Sequence, residues 1–160
     1  MTESNIRMRF VAGTDFESWA VLKRANVAMP FTPSHVEGVV DGGHIGARFS
    51  GGVQWRPVSY DAGHFSHELF LDIPSSPEQG KLYADFLRLH VGWKYDWHSI
   101  FDFALPVNWH TYQHIICSAL QTLALRKSNV FQWPVARPAH LTSPTDLLFG
   151  LSCIMEVPGI

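Results

Sequence analysis

The chain has 160 residues, 46% of them hydrophobic and only 16% charged, with 12 basic against 14 acidic side chains. This excludes a disordered chain, and a net charge of −2 with no basic block gives no electrostatic footprint for nucleic acid. The length suits one domain, residues 1–160; no apolar run approaches the roughly 18–20 residues of a membrane span, and the polar start Met1-Thr2-Glu3-Ser4-Asn5 lacks a signal-peptide core, so a cytoplasmic product is expected.

Taken in order, Ile6 to Val11 alternates apolar and polar residues and is expected as a strand. Thr14 and Glu17 have capping-box spacing, which predicts a helix to about Asn26. Met29-Pro30-Phe31-Thr32-Pro33 is an extended connector, because proline disfavours helix in its predecessor. His35 to Val40, His44 to Phe49 and Val53 to Pro57 are three strands separated by turns at Asp41-Gly42-Gly43 and Gly51-Gly52. Phe65 to Ile73 is a fourth, so this region is expected as an antiparallel meander. Ser76 and Pro77 are the N-cap and first residue of a helix to about Val91, with Leu82, Phe86, Leu89 and His90 as its stripe. Residues 93 to 105 are aromatic-rich, with a short helix expected around Ser99 to Phe103 and a loop over Pro106 to His110. His114 to Leu125 has no Gly or Pro and is expected as a helix of three turns, ending at Arg126-Lys127, where cations suit the dipole. A proline-broken tract follows, with Gln132-Trp133-Pro134 and Arg137-Pro138 extended, then a short helix from Pro144 through about Leu151.

Two features carry chemistry. Cys117 falls in the first turn of the expected helix, where backbone N–H groups and the macrodipole favour a thiolate. On the strand, His35 and Glu37 are two residues apart and so point to one face. A carboxylate there orients the imidazole, fixes its tautomer and stabilises its cation, as the third member of a nucleophile–base–orienter set. The same residues also have plainer readings: Cys117 as a buried core thiol, and His35 with Glu37 as a solvent-facing strand side. With Cys117 and Cys153 the chain forms one disulfide at most, and free thiols are expected in a cytosolic setting. His110, His114 and Cys117 at i, i+4 and i+7 would share a helical face and suggest zinc, but no fourth ligand is evident, and no metal or other cofactor is expected. His114 is also a local rival to His35 as base. There is no Gly-x-Ser-x-Gly elbow, phosphate loop or dinucleotide fingerprint.

Ser34-His35-Val36-Glu37 on a strand, a hairpin ending in Gly51-Gly52-Val53, Tyr95-Asp96 after a helix, and Ile116-Cys117-Ser118 opening a helix occur in that order. This resembles the circularly permuted NlpC/P60 group of papain-like amidases, including short members common in bacteriophage and prophage, over roughly residues 6 to 130. In that group the His strand precedes the Cys helix, as here. The resemblance implies an α+β papain-like fold, with an antiparallel sheet packed against a Cys-bearing helix. It implies a thiol hydrolase of amide bonds, often in cell-wall peptides, although relatives act on lipid acyl groups. Carried over, Cys117 is the nucleophile, His35 the base and Glu37 the orienter, with His44, Arg48 and Ser50 as the neighbouring strand's polar alternatives. The residue two after the cysteine is often acidic in such proteins and here is Ala119. That departure and the many aromatics keep a second expectation beside the enzyme, a non-catalytic binding or phage-assembly module on the same fold.

Overall fold

A computed structural model describes residues 4–13, 31–96, 113–131 and 138–155. The expected helix after Thr14, the short helix around Ser99, the loop over Pro106 to His110 and the Gln132-Trp133-Pro134 tract lie outside these residues. The described part is α+β. Strands β1 (Ser4–Gly13), β2 (His35–Val40), β3 (Gly43–Arg48), β4 (Gly52–Pro57) and β5 (Phe65–Ser75) form one antiparallel sheet in the order β4-β3-β2-β1-β5. Helices α1 (Pro77–Leu89), α2 (Cys117–Ser128) and α3 (Pro144–Met155) accompany it, with a 3-10 turn at Ala139–Leu141. None of these helices is long and apolar enough to cross a membrane.

The meander expectation holds for β2 to β4 and fails for β5, which crosses the sheet to pair with β1 from Ser4↔Ser75 to Gly13↔Phe65. Alternation alone does not name a strand's neighbour. The register puts Met8 opposite Gly38 and Phe10 opposite Val36. Ile6, Met8, Phe10, Val36 and Ile45 are buried with Tyr83 and Leu87 of α1, Leu120 and Ala124 of α2, and Leu147 and Leu151 of α3 in one core. By the two-residue period, Arg9 and Glu37, also opposite each other, lie on the other face.

Helix α1 starts as the sequence implies. Ser76 Oγ accepts from the Gln79 N–H, and Gln79 Oε1 accepts from the Ser76 N–H, a complete capping box. Its buried stripe is Tyr83 and Leu87, whereas Leu82 and Leu89 are exposed. Of the expected stripe, His90 is buried and Phe86 packs against the core, while the positions of Leu82 and Leu89 are taken by Tyr83 and Leu87.

Gly38 is what lets the helices approach. A Cβ there would strike Leu87 Cδ1 and lie 2.6 Å from Tyr83 Oη and 3.2 Å from Gln121 Oε1. Tyr83 donates to Gln121 Oε1, and Gln121 Nε2 donates to the Ile45 carbonyl at 3.0 Å, pinning α2 to β3. Gly38→Ala is therefore expected to lower stability by roughly 1–3 kcal/mol, as overpacking does. Urea unfolding would read it; an unchanged midpoint would mean the helices retreat without cost.

Candidate active site

Cys117 is the first residue of α2 and so lies in its first turn. The helix does not begin at His114, because His114–Ile115 form a strand (β7) that pairs in parallel with Lys94–Tyr95 (β6). That pair hangs on the sheet's edge: Val53 N–H donates to the Trp93 carbonyl at 2.8 Å and Gly92 N–H to the Val53 carbonyl at 2.9 Å. The chain therefore enters the helix as an extended segment fixed to β4. Ile116 at the N-cap has extended dihedrals and no side-chain cap bond, so the first N–H groups of the helix have no side-chain oxygen from it. With His114 on a strand, the expected helical face of His110, His114 and Cys117 is not formed; His110 lies outside the described residues. Among the described residues no cluster of three His, Cys, Asp or Glu side chains is arranged to hold a metal.

The helix of the thiol is tied to the end of the β2–β3 ladder. Pairing runs Val40↔Gly43, Val39↔His44 and Gly38↔Ile45 and stops there, although both strands continue. Gln121, one helical turn beyond Cys117, is bonded to Ile45 at that end point. The N–H groups of Val36, on β2, and of Ser118 hydrogen-bond to the sulfur, and the His35 side chain does too. Burial pushes the thiol pKa up, but the His35 charge and these hydrogen bonds outweigh it and carry the pKa below its ordinary value.

His35 is held from behind. Its Nε2 donates to Glu37 Oε1 at 3.0 Å, which leaves Nδ1 for the sulfur. Burial lowers the imidazole pKa, as does the Arg48 charge. The charges of Cys117 and Glu37 and the bond to the sulfur prevail, and the pKa rises to about 8. An imidazolium facing a thiolate is the state this arrangement favours. His35, expected as a solvent-facing residue on the plainer reading, is 9% exposed, and Glu37 is fully buried.

Glu37 stays charged because of its surroundings. Its burial raises its pKa, but the His35 charge and bond, the Arg48 charge and a bond from Tyr60 depress it far below the usual carboxylate range. Arg9 Nη1 donates to Glu37 Oε2 at 3.2 Å and to Asp61 Oδ2 at 2.9 Å, while its Nε donates to Glu68. Arg48 Nη2 donates to Asp61 Oδ2 at 2.9 Å, and its Nε lies 3.6 Å from Glu37 Oε1. His44 Nδ1 is 3.8 Å from Glu37 Oε2. Gly46 makes the space: a Cβ there would lie 2.8 Å from Glu37 Cγ.

The three residues expected to act together, Cys117, His35 and Glu37, are thus assembled. The polar alternatives from β3, His44 and Arg48, approach Glu37. Arg9, Tyr60 and Asp61 escaped the sequence reading. Arg9 looks like the polar half of an alternating strand and Tyr60-Asp61 like part of a turn, and no local signal marks either.

No protein-family model, curated protein or solved structure matches the chain. The chemistry of the site therefore rests on the geometry itself.

Beside the start of α2 a cavity of about 290 Å³ is lined by Ile115, Ile116, Ala119 and Leu123, with Asp96 and Arg126 also on its wall. Cys117 does not line it and is 4% exposed.

Proposed function

We propose that this protein is a papain-like thiol hydrolase of the permuted NlpC/P60 type, cleaving an amide bond in a cell-wall-type peptide, with phage or prophage as its setting. The observation that carries the reading is the buried relay in which Glu37 holds His35 and His35 faces the Cys117 sulfur at a helix start. In the reaction, the thiolate attacks the amide carbonyl carbon and forms the C–S bond. The oxyanion forms near the first N–H groups of α2. His35 then passes its proton from Nδ1 to the leaving nitrogen as the C–N bond breaks, leaving a thioester and a free amine. A water, deprotonated by the now neutral His35, attacks the thioester, and the acid product leaves with the thiolate–imidazolium pair restored. Glu37 remains an anion throughout.

The test is digestion of purified peptidoglycan by wild-type protein and by Cys117→Ala. Free amino groups are expected to appear with the wild type and to fall to background with the variant. Equal release from both, or none from either, would end the reading. The burial of Cys117 beside a cavity that it does not line favours a second reading, a binding module without turnover. That reading expects Cys117→Ala to retain every property of the wild type.

A further inference from the structure

We infer that Tyr60, in the turn joining β4 and β5, is a positioning residue that keeps Glu37 on His35 by excluding Arg48. The inference rests on the hydrolase reading for its consequence, but the geometry that carries it is independent of any substrate. Tyr60 Oη donates to Glu37 Oε1, the same oxygen that accepts from His35 Nε2 at 3.0 Å. A carboxylate oxygen has two lone-pair directions, and these two donors take both. Arg48 Nε, at 3.6 Å from that oxygen, lies inside ion-pair range but outside hydrogen-bonding range. It is the nearest competitor and the stronger one, since a guanidinium bond to a carboxylate is charge-assisted.

The tyrosine is itself set in place. Its ring has the Arg48 guanidinium 4.9 Å and the Arg56 guanidinium 5.5 Å from its centre. Arg56 is fixed in turn by the carbonyls of Gly46 at 3.1 Å and Gly52 at 3.2 Å, and Arg48 by Asp61. The ring therefore needs no hydroxyl to stay where it is. Burial and the Glu37 charge push the phenol pKa up, so the hydroxyl is a donor throughout the working pH range.

Removing the hydroxyl alone frees one direction on Oε1. The carboxylate then turns to Arg48, and His35 loses the group that fixes its tautomer and supports its charge. In Tyr60→Phe, the His35 pKa read by NMR titration is expected to fall by about one unit, and alkylation of Cys117 by iodoacetamide at pH 7 to slow roughly tenfold. Arg48→Met alone is expected to raise the His35 pKa, because a charge that lowers it is gone; with the competitor removed, adding Tyr60→Phe is expected to leave both readings at those of Arg48→Met. A merely structural role for Tyr60 would lower the urea midpoint and move neither reading. Wild-type behaviour in Tyr60→Phe, or a double variant as far below Arg48→Met as Tyr60→Phe is below wild type, overturns the inference alone. A wild-type Cys117 that already labels like an ordinary thiol overturns the hydrolase reading, and this inference with it.

Discussion

Replacing His35 with alanine is expected to return Cys117 to the state of a buried, protonated thiol. In the wild type, burial works against the thiolate and is overcome first by the charge and bond of His35, then by the N–H groups of Val36 and Ser118. Without the imidazole, the burial cost remains and the largest opposing contribution is gone. An ordinary thiol near pKa 8.5 is a few per cent ionised at pH 7, so alkylation by iodoacetamide should slow about thirtyfold or more. Any amide hydrolysis should fall by about 10²–10⁴, the usual share of a general acid–base group. Alkylation across pH 5 to 9 checks the first figure. A rate at pH 7 within about threefold of wild type would show that the helix start and the backbone alone sustain the thiolate.

The second large effect concerns stability. Arg9 is 1% exposed and bonds three carboxylates, of which Glu37 and Asp61 are buried. Burial by itself would lower the guanidinium pKa, yet its bonds to Asp61 and Glu68 and the Glu37 charge raise it. Arg9→Met keeps the volume and leaves two buried anions short of a cation. The expected loss is about 3–5 kcal/mol at pH 7, the cost of breaking rather than replacing a buried pair. Against a typical total of about 5–15 kcal/mol this is a large fraction. The pH dependence has a definite sign. In the wild type the Glu37 pKa is depressed from its ordinary 4.5, so its contribution is fully present above 4.5 and is lost only as pH falls further, through the folded value. In Arg9→Met, Glu37 loses a bonded cation and protonates at a higher pH than in the wild type, which relieves the uncompensated charge. His35, Arg48 and Tyr60 still hold Glu37 below its ordinary 4.5 in the variant, so the gap should narrow only in acid, from pH 7 to about pH 4. Urea unfolding at both values measures it; a gap under about 1 kcal/mol, or one that widens in acid, would show that Arg48 alone neutralises the cluster.

The site was partly legible before any coordinates. The two-residue strand period places His35 and Glu37 together, and a Gly- and Pro-free apolar run ahead of Arg126-Lys127 marks the helix of Cys117. Its start was misplaced by three residues because His114–Ile115 pair with Lys94–Tyr95, a contact between segments well separated in the chain. Of the stripe Leu82, Phe86, Leu89 and His90 read from the sequence, Phe86 and His90 lie against the core, whereas Tyr83 and Leu87 stand in place of the two leucines. The charge cluster was invisible for the same reason. Arg9 and Glu37 become neighbours only through the β1–β2 register, and Tyr60 reaches Glu37 from a turn.

By itself, then, the sequence determined what depends on neighbours along the chain: the strand of His35 and Glu37, the helix start at Ser76 and Pro77, the cationic end of the Cys117 helix. These follow from side-chain period and from backbone groups satisfied within a few residues. Only the tertiary structure decided that β5 joins β1, that the β2–β3 ladder ends at Gly38 and Ile45, and that Cys117 meets His35. Those outcomes depend on which distant segments pack together, a balance of core burial against loop closure that no local pattern encodes.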